Sequence, residues 1–361
     1  MLYSFLSSLA ENYSFLNVFK YITFRTGLSV VTSFAIVFLI GEPLIKIFKK
    51  NQISGPIRQD GPIDHIIKKS GTPTMGGLII ILGIFLGTFL WADLSNIYVW
   101  MVIFISLGFG FLGFVDDLLK IKQRNSRGLN SLLKLSGQII IGLIAIYILF
   151  EHSEHKFLNN LYFPFFKNLI LPMGIFSIPF ALFVIVGASN AVNLTDGLDG
   201  LATVPVMLVA LSYTLISYVV GNTIFAEYLK IPYVQSVGEL SIFCGAIFGS
   251  CLGFLWYNAP PAKIFMGDTG SLSLGGSLAA VAIIVKHEIV LAIIGGLFVL
   301  ETVSVIIQVL SFKLTGKRVF MMAPIHHHFE KKGWPESTIV VRFWIIAIIL
   351  ALIGLATLKL R

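Results

Sequence analysis

The chain contains ten apolar runs, most of them long enough to cross a lipid bilayer as a helix. A spanning helix needs about 20 residues, because roughly 30 Å of hydrocarbon is crossed at a rise of 1.5 Å per residue. In lipid the backbone must satisfy its own hydrogen bonds, so these runs fold as helices. We therefore predict an all-α polytopic membrane protein, a bundle of about ten transmembrane helices. The runs lie at residues 22–40, 75–94, 97–115, 132–150, 169–186, 201–219, 240–256, 272–285, 289–310 and 341–358.

Composition excludes several other classes of protein. Charged residues make up 12% of the chain and hydrophobic residues 56%, whereas a soluble domain carries about 25% charged residues. Cys244 and Cys251 are too few for a disulfide framework and fall in one apolar run, as small packing residues do. The net charge of +8 fits a basic cytoplasmic face better than a nucleic-acid partner. Nothing indicates a soluble domain, so we predict a single integral-membrane domain, 1–361.

The basic residues predict which loops face the cytoplasm. Of 26 lysines and arginines, 18 fall in alternate inter-helix loops, and the other eight are scattered on the opposite side. The positive-inside rule makes the basic loops cytoplasmic, which with ten spans puts both termini outside. All the candidate polar motifs lie in these loops. A transporter would place more ionisable groups at mid-membrane, where Glu301 alone clearly lies and where we expect an interhelical hydrogen bond.

Asp116 and Asp117 form the first motif, at the end of the third run. Two adjacent carboxylates repel each other, and either protonation or a divalent cation with oxygen ligands relieves that repulsion. The alternative is a solvated pair balanced by Lys120 and Lys122.

The second motif is the loop at residues 190–200, which reads N-A-V-N-L-T-D-G-L-D-G. It carries Asn193, Asp196 and Asp199 with no basic residue to balance them. The glycines permit a tight turn or a close approach to a ligand. The loop is therefore a candidate binding site, or else an Asx-rich turn in which Asp199 caps the sixth helix.

The third motif lies in the loop at residues 258–271, which begins with Asn258. Asp268 stands between two glycines and is followed by hydroxyl residues at a predicted helix start. This pattern suits a phosphate or metal cradle, and a plain N-cap by Asp268 or Thr269 explains it equally well. Phe265 either stacks on a nucleobase or anchors the loop at the membrane interface.

Two further loops carry candidate phosphate-binding residues. His326, His327 and His328 are consecutive and cannot all face one metal in a regular element, so zinc is disfavoured. They suit a diphosphate, or form an interfacial amphipathic segment. The first inner loop ends K-K-S-G-T-P-T-M-G-G at residues 68–77, where Lys69 and Thr74 are candidate phosphate-binding residues or simply flank a span.

Together these motifs closely resemble the polyprenyl-phosphate N-acetylhexosamine-1-phosphate transferases. The resemblance covers almost the whole chain, in order and at the expected spacing. The triple histidine and the T-P-T-M-G-G run are similar to the muramoyl-pentapeptide branch of that family. The resemblance implies a Mg²⁺-dependent enzyme of the bacterial inner membrane, usually a homodimer, with a cytoplasmic active site. It implies transfer of phospho-MurNAc-pentapeptide from UDP-MurNAc-pentapeptide to undecaprenyl phosphate, giving lipid I and UMP. A sister transferase that uses UDP-GlcNAc, and a lipid-linked transporter, are the alternatives.

The resemblance also implies roles for individual residues. Asp268 and Asp117 match metal-side positions, and the residues expected to take part in catalysis are Asp116, Asp117, Asp268, His326 and His327. Those expected to bind substrate are Lys69 and Thr74 on the uridine side, Phe265 on the uracil, Lys134 near the phosphates, Asn193 and Asp196 on the nucleotide side, and Asp199 and Asn258.

Overall fold

The computed structural model describes residues 2–54, 71–123, 125, 128–152, 159–166 and 169–360. Within these ranges the chain is predominantly helical with very little sheet, which confirms the predicted class. The sheet found there is one antiparallel ribbon, β1 (Asn160–Tyr162) and β2 (Ile170–Pro172), with Leu161 opposite Leu171.

The helices follow one another along the chain with short connections. The α-helices of the described ranges are α1 Leu2–Leu9, α2 Ile22–Lys50, α3 Gly77–Trp91, α4 Ile97–Gln123, α5 Ser131–His152, α6 Ser177–Thr195, α7 Thr203–Val220, α8 Thr223–Leu229, α9 Leu240–Asn258, α10 Gly267–Ile284, α11 Glu288–Ile294, α12 Gly296–Thr315, α13 Ile325–Lys331 and α14 Glu336–Leu360. Short 3₁₀ turns lie at Ser14–Lys20, Gly174–Phe176 and Val237–Glu239.

Nine helices of the described part of the chain are long and apolar enough to cross a membrane. They are α2, α4, α5, α6, α7, α9, α10, α12 and α14, and the shorter apolar helix α3 adds 15 residues, or about 22 Å of rise. Each of the ten predicted runs therefore has its helix.

The helix ends differ from the apolar runs in ways that matter for the polar motifs. α4 continues to Gln123, so Asp116 and Asp117 lie within its last turns rather than after its end. α10 begins at Gly267, five residues before the predicted run. Hydropathy marks only the apolar part of a helix, whereas backbone hydrogen bonding continues wherever polar side chains find partners. The ninth run, predicted as one helix, is two helices that meet at Gly295.

Close packing of α4 against α10 brings the polar motifs together. A β-carbon at Gly113 of α4 would overlap the backbone carbonyl oxygen of Asp268 at the start of α10. Similarly, a β-carbon at Gly249 of α9 would overlap the carbonyl oxygen of Val30 in α2. Small residues let helix backbones approach closely in membranes, and at Gly113 this approach sets the distance between two acidic motifs.

A buried ion pair joins α2, α3 and the 3₁₀ turn before α9 at the other end of the bundle. Arg25 donates to both carboxylate oxygens of Glu239, at 2.7 and 2.6 Å, and its Nη1 also donates to the Trp91 carbonyl. The carboxylate of Glu239 accepts a further hydrogen bond from the Asp93 N–H at 2.8 Å. We call this ion pair and its bonds to Trp91 and Asp93 the Arg25 clamp. Helix α3 runs from Gly77, beside α10, to Trp91, so the clamp lies one helix length from the acidic motifs.

We predict that Arg25→Leu lowers the free energy of unfolding by about 3–5 kcal/mol, because it leaves the Glu239 carboxylate buried and unpaired. Thermal unfolding in detergent measures the effect. Lys46→Leu is the matched control on the same helix. Lys46 is exposed and forms an ion pair with Glu42 at 3.8 Å, and exposed ion pairs of this kind contribute only about 0–1 kcal/mol. Equal melting temperatures for the two variants would contradict the assignment of Arg25 as a clamp.

Candidate active site

Three carboxylates from two helices converge at one end of the bundle. Asp116 and Asp117 of α4 are buried, and Asp268 is the second residue of α10. One oxygen of each lies within 4.8 Å of the others, and among the described residues this is the one group of three or more His, Cys, Asp or Glu side chains so arranged. We call Asp116, Asp117 and Asp268 the acidic cluster.

Asp117 binds the N-terminus of α10. Its Oδ1 accepts from the Asp268 N–H at 3.2 Å, and its Oδ2 accepts from the N–H and the hydroxyl of Thr269 at 3.0 and 2.8 Å. The first N–H groups of a helix have no partner within the helix, and its dipole favours a negative charge there. Asp117 is therefore fixed in orientation by donors that stabilise its charged form.

Asp268 collects donors from three other helices. Its Oδ1 accepts from Asn193 at 2.9 Å, and its Oδ2 faces the ammonium groups of Lys134 at 2.5 Å and Lys120 at 3.0 Å. Asn193 also donates to the Ser271 hydroxyl at 2.9 Å, which ties the end of α6 to α10.

Asp116 anchors the segment that follows α4. Its Oδ1 accepts from the Leu129 N–H at 2.8 Å, and its Oδ2 pairs with Lys120 at 2.5 Å. Lys120, one turn further along the helix, thereby forms ion pairs with all three members of the acidic cluster, at 2.5 Å from Asp116, 3.9 Å from Asp117 and 3.0 Å from Asp268. Sequence reasoning treated this lysine only as a counter-charge, although its i, i+4 spacing from Asp116 was the available signal.

Asp196 lies just beyond α6, next to the acidic cluster. Burial raises the pKa of its carboxyl to about 7, and the negative charges of Asp268 and Asp117 add to the increase. A hydrogen bond from the Gly267 N–H acts in the opposite direction. The neutral form of this carboxyl is therefore more populated near neutral pH than that of a solvent-exposed aspartic acid, and a nearby cation would favour its ionised form.

The loop before α10 pairs with the segment before α3. The Phe265 N–H donates to the Pro73 carbonyl at 2.8 Å, and the Phe265 carbonyl accepts from the Gly76 N–H at 2.8 Å. A β-carbon on Gly267 would lie 3.1 Å from the Thr74 hydroxyl and 2.6 Å from Asp117 Oδ2. The structure thus brings the predicted residues Thr74 and Phe265 to the edge of the acidic cluster.

Asn258 and Asp199 make contacts that support the same loop. Asn258 accepts from the Thr203 hydroxyl at 2.8 Å and donates to the Ile264 carbonyl at 3.0 Å. Asp199 accepts from the Ala262 N–H at 2.9 Å. These bonds hold the loop at residues 259–266 in shape, and contact of either side chain with substrate remains a prediction.

The histidine motif forms α13. His326 is fully buried, its Nδ1 lies 3.1 Å from Glu301, and its ring lies against Gly197. His327 is half-buried and its Nδ1 lies 2.5 Å from Glu330. The predicted substrate residue Lys69 lies outside the described residues.

The acidic cluster fits a divalent cation. Carboxylate oxygens are the hard ligands that Mg²⁺ takes in proteins, and three of them converge within 4.8 Å. Asp116, Asp117 and Asp268 with Lys120 and Lys134 sum to a formal charge of −1, since three carboxylates face two ammonium groups. The cluster therefore still attracts a cation.

Comparisons with known proteins identify the family of the chain. Residues 99–286, about half of the chain, match the model of glycosyl transferase family 4. Fold and site thus define a polytopic membrane phosphoglycosyl transferase.

Residues 69–81 match phospho-N-acetylmuramoyl-pentapeptide-transferase signature 1. The chain is 67% identical over 361 residues to a protein of that name from Pelagibacter ubique (strain HTCC1062), and 56% identical over 368 residues to one from Maricaulis maris (strain MCS10). Both alignments cover the full length of each chain. The chain belongs to the phospho-N-acetylmuramoyl-pentapeptide-transferase family.

We predict that Gly267→Ala weakens binding of a divalent cation by at least about tenfold. Gly267 has φ +74°, and its new β-carbon would push the Asp117 carboxylate from the N-terminus of α10. Mn²⁺ binding, followed by electron paramagnetic resonance, measures this.

Gly333→Ala is the matched control for Gly267→Ala. Gly333 has φ +85° and nothing within 4 Å of an added β-carbon, so it carries only the backbone cost of about 1–2 kcal/mol. Unchanged Mn²⁺ affinity in Gly267→Ala would contradict the assignment.

Proposed function

We propose that the protein transfers phospho-MurNAc-pentapeptide from UDP-MurNAc-pentapeptide to undecaprenyl phosphate, forming lipid I and UMP. The observation that carries the proposal is the acidic cluster at the N-terminus of α10, flanked by Lys120 and Lys134, in a chain 67% identical to a named transferase of this kind. The relatives' names state the transferred group. The identities of the donor nucleotide and the lipid acceptor follow from the family resemblance of the motifs.

We assign the cofactor as Mg²⁺, held by Asp268 and Asp117. When bound, Mg²⁺ would neutralise charge on the donor diphosphate as the bond to UMP breaks. Asp117 is suited to hold a cation in a fixed position, because three donors of α10 orient its carboxylate. Lys134 and Lys120 carry ammonium groups at Asp268, and phosphate oxygens of the substrate would compete for them.

The lipid phosphate needs little help from a general base. A phosphate monoester has a second pKa of about 6, so much of it is already a dianion at neutral pH. Asp116 and Asp117 therefore act in the proposal by orienting the acceptor phosphate beside the donor. A covalent aspartyl-phosphate intermediate is the competing mechanism.

The remaining assignments concern the nucleotide. Phe265 stacks on the uracil, and Thr74 and Lys69 form the uridine side of the pocket in this proposal. Asn193 and Asp196 contact the nucleotide, and the half-buried His327 reaches the phosphates while His326 supports the turn behind them. What supports the grouping is the pairing of the Thr74 and Phe265 segments beside the acidic cluster.

We place the enzyme in the bacterial inner membrane as a homodimer, with the acidic cluster on the cytoplasmic face and both termini outside. The sidedness rests on the distribution of lysine and arginine between loops. Cysteine-accessibility labelling at the C-terminus in intact cells tests it, since a labelled terminus supports the proposed orientation.

The decisive experiment measures UMP release with UDP-MurNAc-pentapeptide and undecaprenyl phosphate together. Release that requires both substrates supports the proposed function. Turnover of UDP-GlcNAc in place of the muramoyl donor would indicate the sister activity instead. In a single turnover without the lipid, stoichiometric UMP would support the covalent mechanism, and none would support direct transfer.

We predict that Asp268→Asn abolishes lipid I formation while folding persists. Loss of a metal-bound charge worth several kcal/mol corresponds to roughly 10³-fold or more, at 1.36 kcal/mol per tenfold. Asp93→Asn is the matched control, because Asp93 lies beyond the far end of α3 and bonds to Ser95. An active Asp268→Asn enzyme would remove the basis for the metal assignment.

We predict that activity depends on added Mg²⁺. Chelation by EDTA should stop UMP release, and excess Mg²⁺ should restore it, because the acidic cluster holds a net negative charge where the diphosphate must bind. An enzyme indifferent to EDTA would contradict the cofactor assignment. The wild-type melting temperature, measured with and without EDTA, separates loss of catalysis from loss of fold.

A further inference from the structure

A second pair of ionisable residues lies outside the acidic cluster. Glu301, on the second turn of α12, and His326, on α13, are both fully buried. Glu301 Oε2 and His326 Nδ1 are 3.1 Å apart. An ionisable residue within a membrane span is costly to bury, so it usually serves a function.

The other side of the His326 ring meets the turn that follows Asp196. A β-carbon added to Gly197 would overlap His326 Nε2. The imidazole is therefore held between the Glu301 carboxylate and the backbone at Gly197. Asp196, one residue before, receives the Gly267 N–H at the start of α10.

The contact between the two side chains is not a completed hydrogen bond. Glu301 and His326 are at ion-pair distance, but neither carboxylate oxygen and neither ring nitrogen has an aligned hydrogen-bond partner among the described residues. Burying polar atoms without an aligned partner is unfavourable. Hydrogen bonds in catalytic sites are often loosely aligned before substrate binds and tighten in the complex.

We propose that Glu301 is a positioning residue: its carboxylate holds the His326 ring so that Nε2 supports the Asp196–Gly197 turn beside the acidic cluster. A carboxylate that accepts from one ring nitrogen fixes both the tautomer and the orientation of an imidazole. The proposal rests on the proposed function, since the turn is taken to contact the nucleotide. It accounts for an acidic residue buried on the second turn of α12.

Steady-state kinetics of Glu301→Gln and His326→Asn test the proposal. Each variant should lower kcat by about 10–100-fold, the usual effect of losing an orienting partner, with KM for the UDP donor changed less than about threefold. The double variant should be no slower than the slower single one, because both changes remove the same support. A kcat within twofold of wild type in Glu301→Gln, or multiplied losses in the double variant, would overturn the proposal.

Gly197→Ala approaches the same ring from the other side. The new β-carbon should displace His326 and lower kcat, yet cause no further loss in a His326→Ala background. Gly187→Ala is the matched control on the preceding helix, because nothing lies within 4 Å of a β-carbon there, and it should keep wild-type kcat. Equal rates for the two glycine variants would count against the contact as a functional one.

A readout independent of turnover separates this proposal from the proposed function. In ¹⁵N-histidine NMR, the His326 signal is the one that His326→Asn removes. Glu301→Gln and Gly197→Ala should each shift that signal, and Gly187→Ala should not. An unmoved signal in Glu301→Gln overturns the positioning role, even in an active enzyme. If the signals shift but the wild-type protein releases no UMP, the positioning contact stands and the proposed function fails.

Discussion

The contact between Asp117 and the N-terminus of α10 determines much of the arrangement around it. A carboxylate buried between helices is unfavourable unless donors replace its water, and here three donors from Asp268 and Thr269 do so. The contact needs α4 to extend past its apolar part and Gly113 to let the two backbones meet. Once it forms, Asp268 must stand beside Asp117, and the other members of the site arrange around that pair.

The charges at this end of the bundle do not balance. Asp116, Asp117 and Asp268 face Lys120 and Lys134, which leaves one negative charge uncompensated. A divalent cation would reverse the sign to a net positive charge, which suits a diphosphate. Lys120 and Lys134 could then pair with phosphate oxygens of the substrate in place of the Asp268 carboxylate. Cation and anionic substrate thus favour each other's binding through the charge of the cluster.

Apolar runs predicted the approximate positions of the long apolar helices, because local hydropathy reports directly on the apolar side chains that a membrane-spanning helix needs. The polar motifs predicted which residues gather, since Asp116, Asp117 and Asp268 stand out from an apolar background. Pairings across the chain were not predictable: Glu239 lies 214 residues from Arg25, and no local pattern links them. The break of the ninth run at Gly295 and the partner of Glu301 depend likewise on neighbouring helices.

The two ends of the bundle bury charged groups in different ways, and this difference explains which end is suited to bind substrate. Arg25 and Glu239 satisfy each other with two short hydrogen bonds, so that pair is neutral and has little to offer a ligand. At the acidic cluster the carboxylates exceed the ammonium groups, and a lysine there has a partner it can exchange. A neutral, hydrogen-bonded pair of this kind holds helices together. An unbalanced cluster, also buried between helices, attracts a cation, and the bound cation would in turn attract a phosphate. The proposed reaction is therefore assigned to that end.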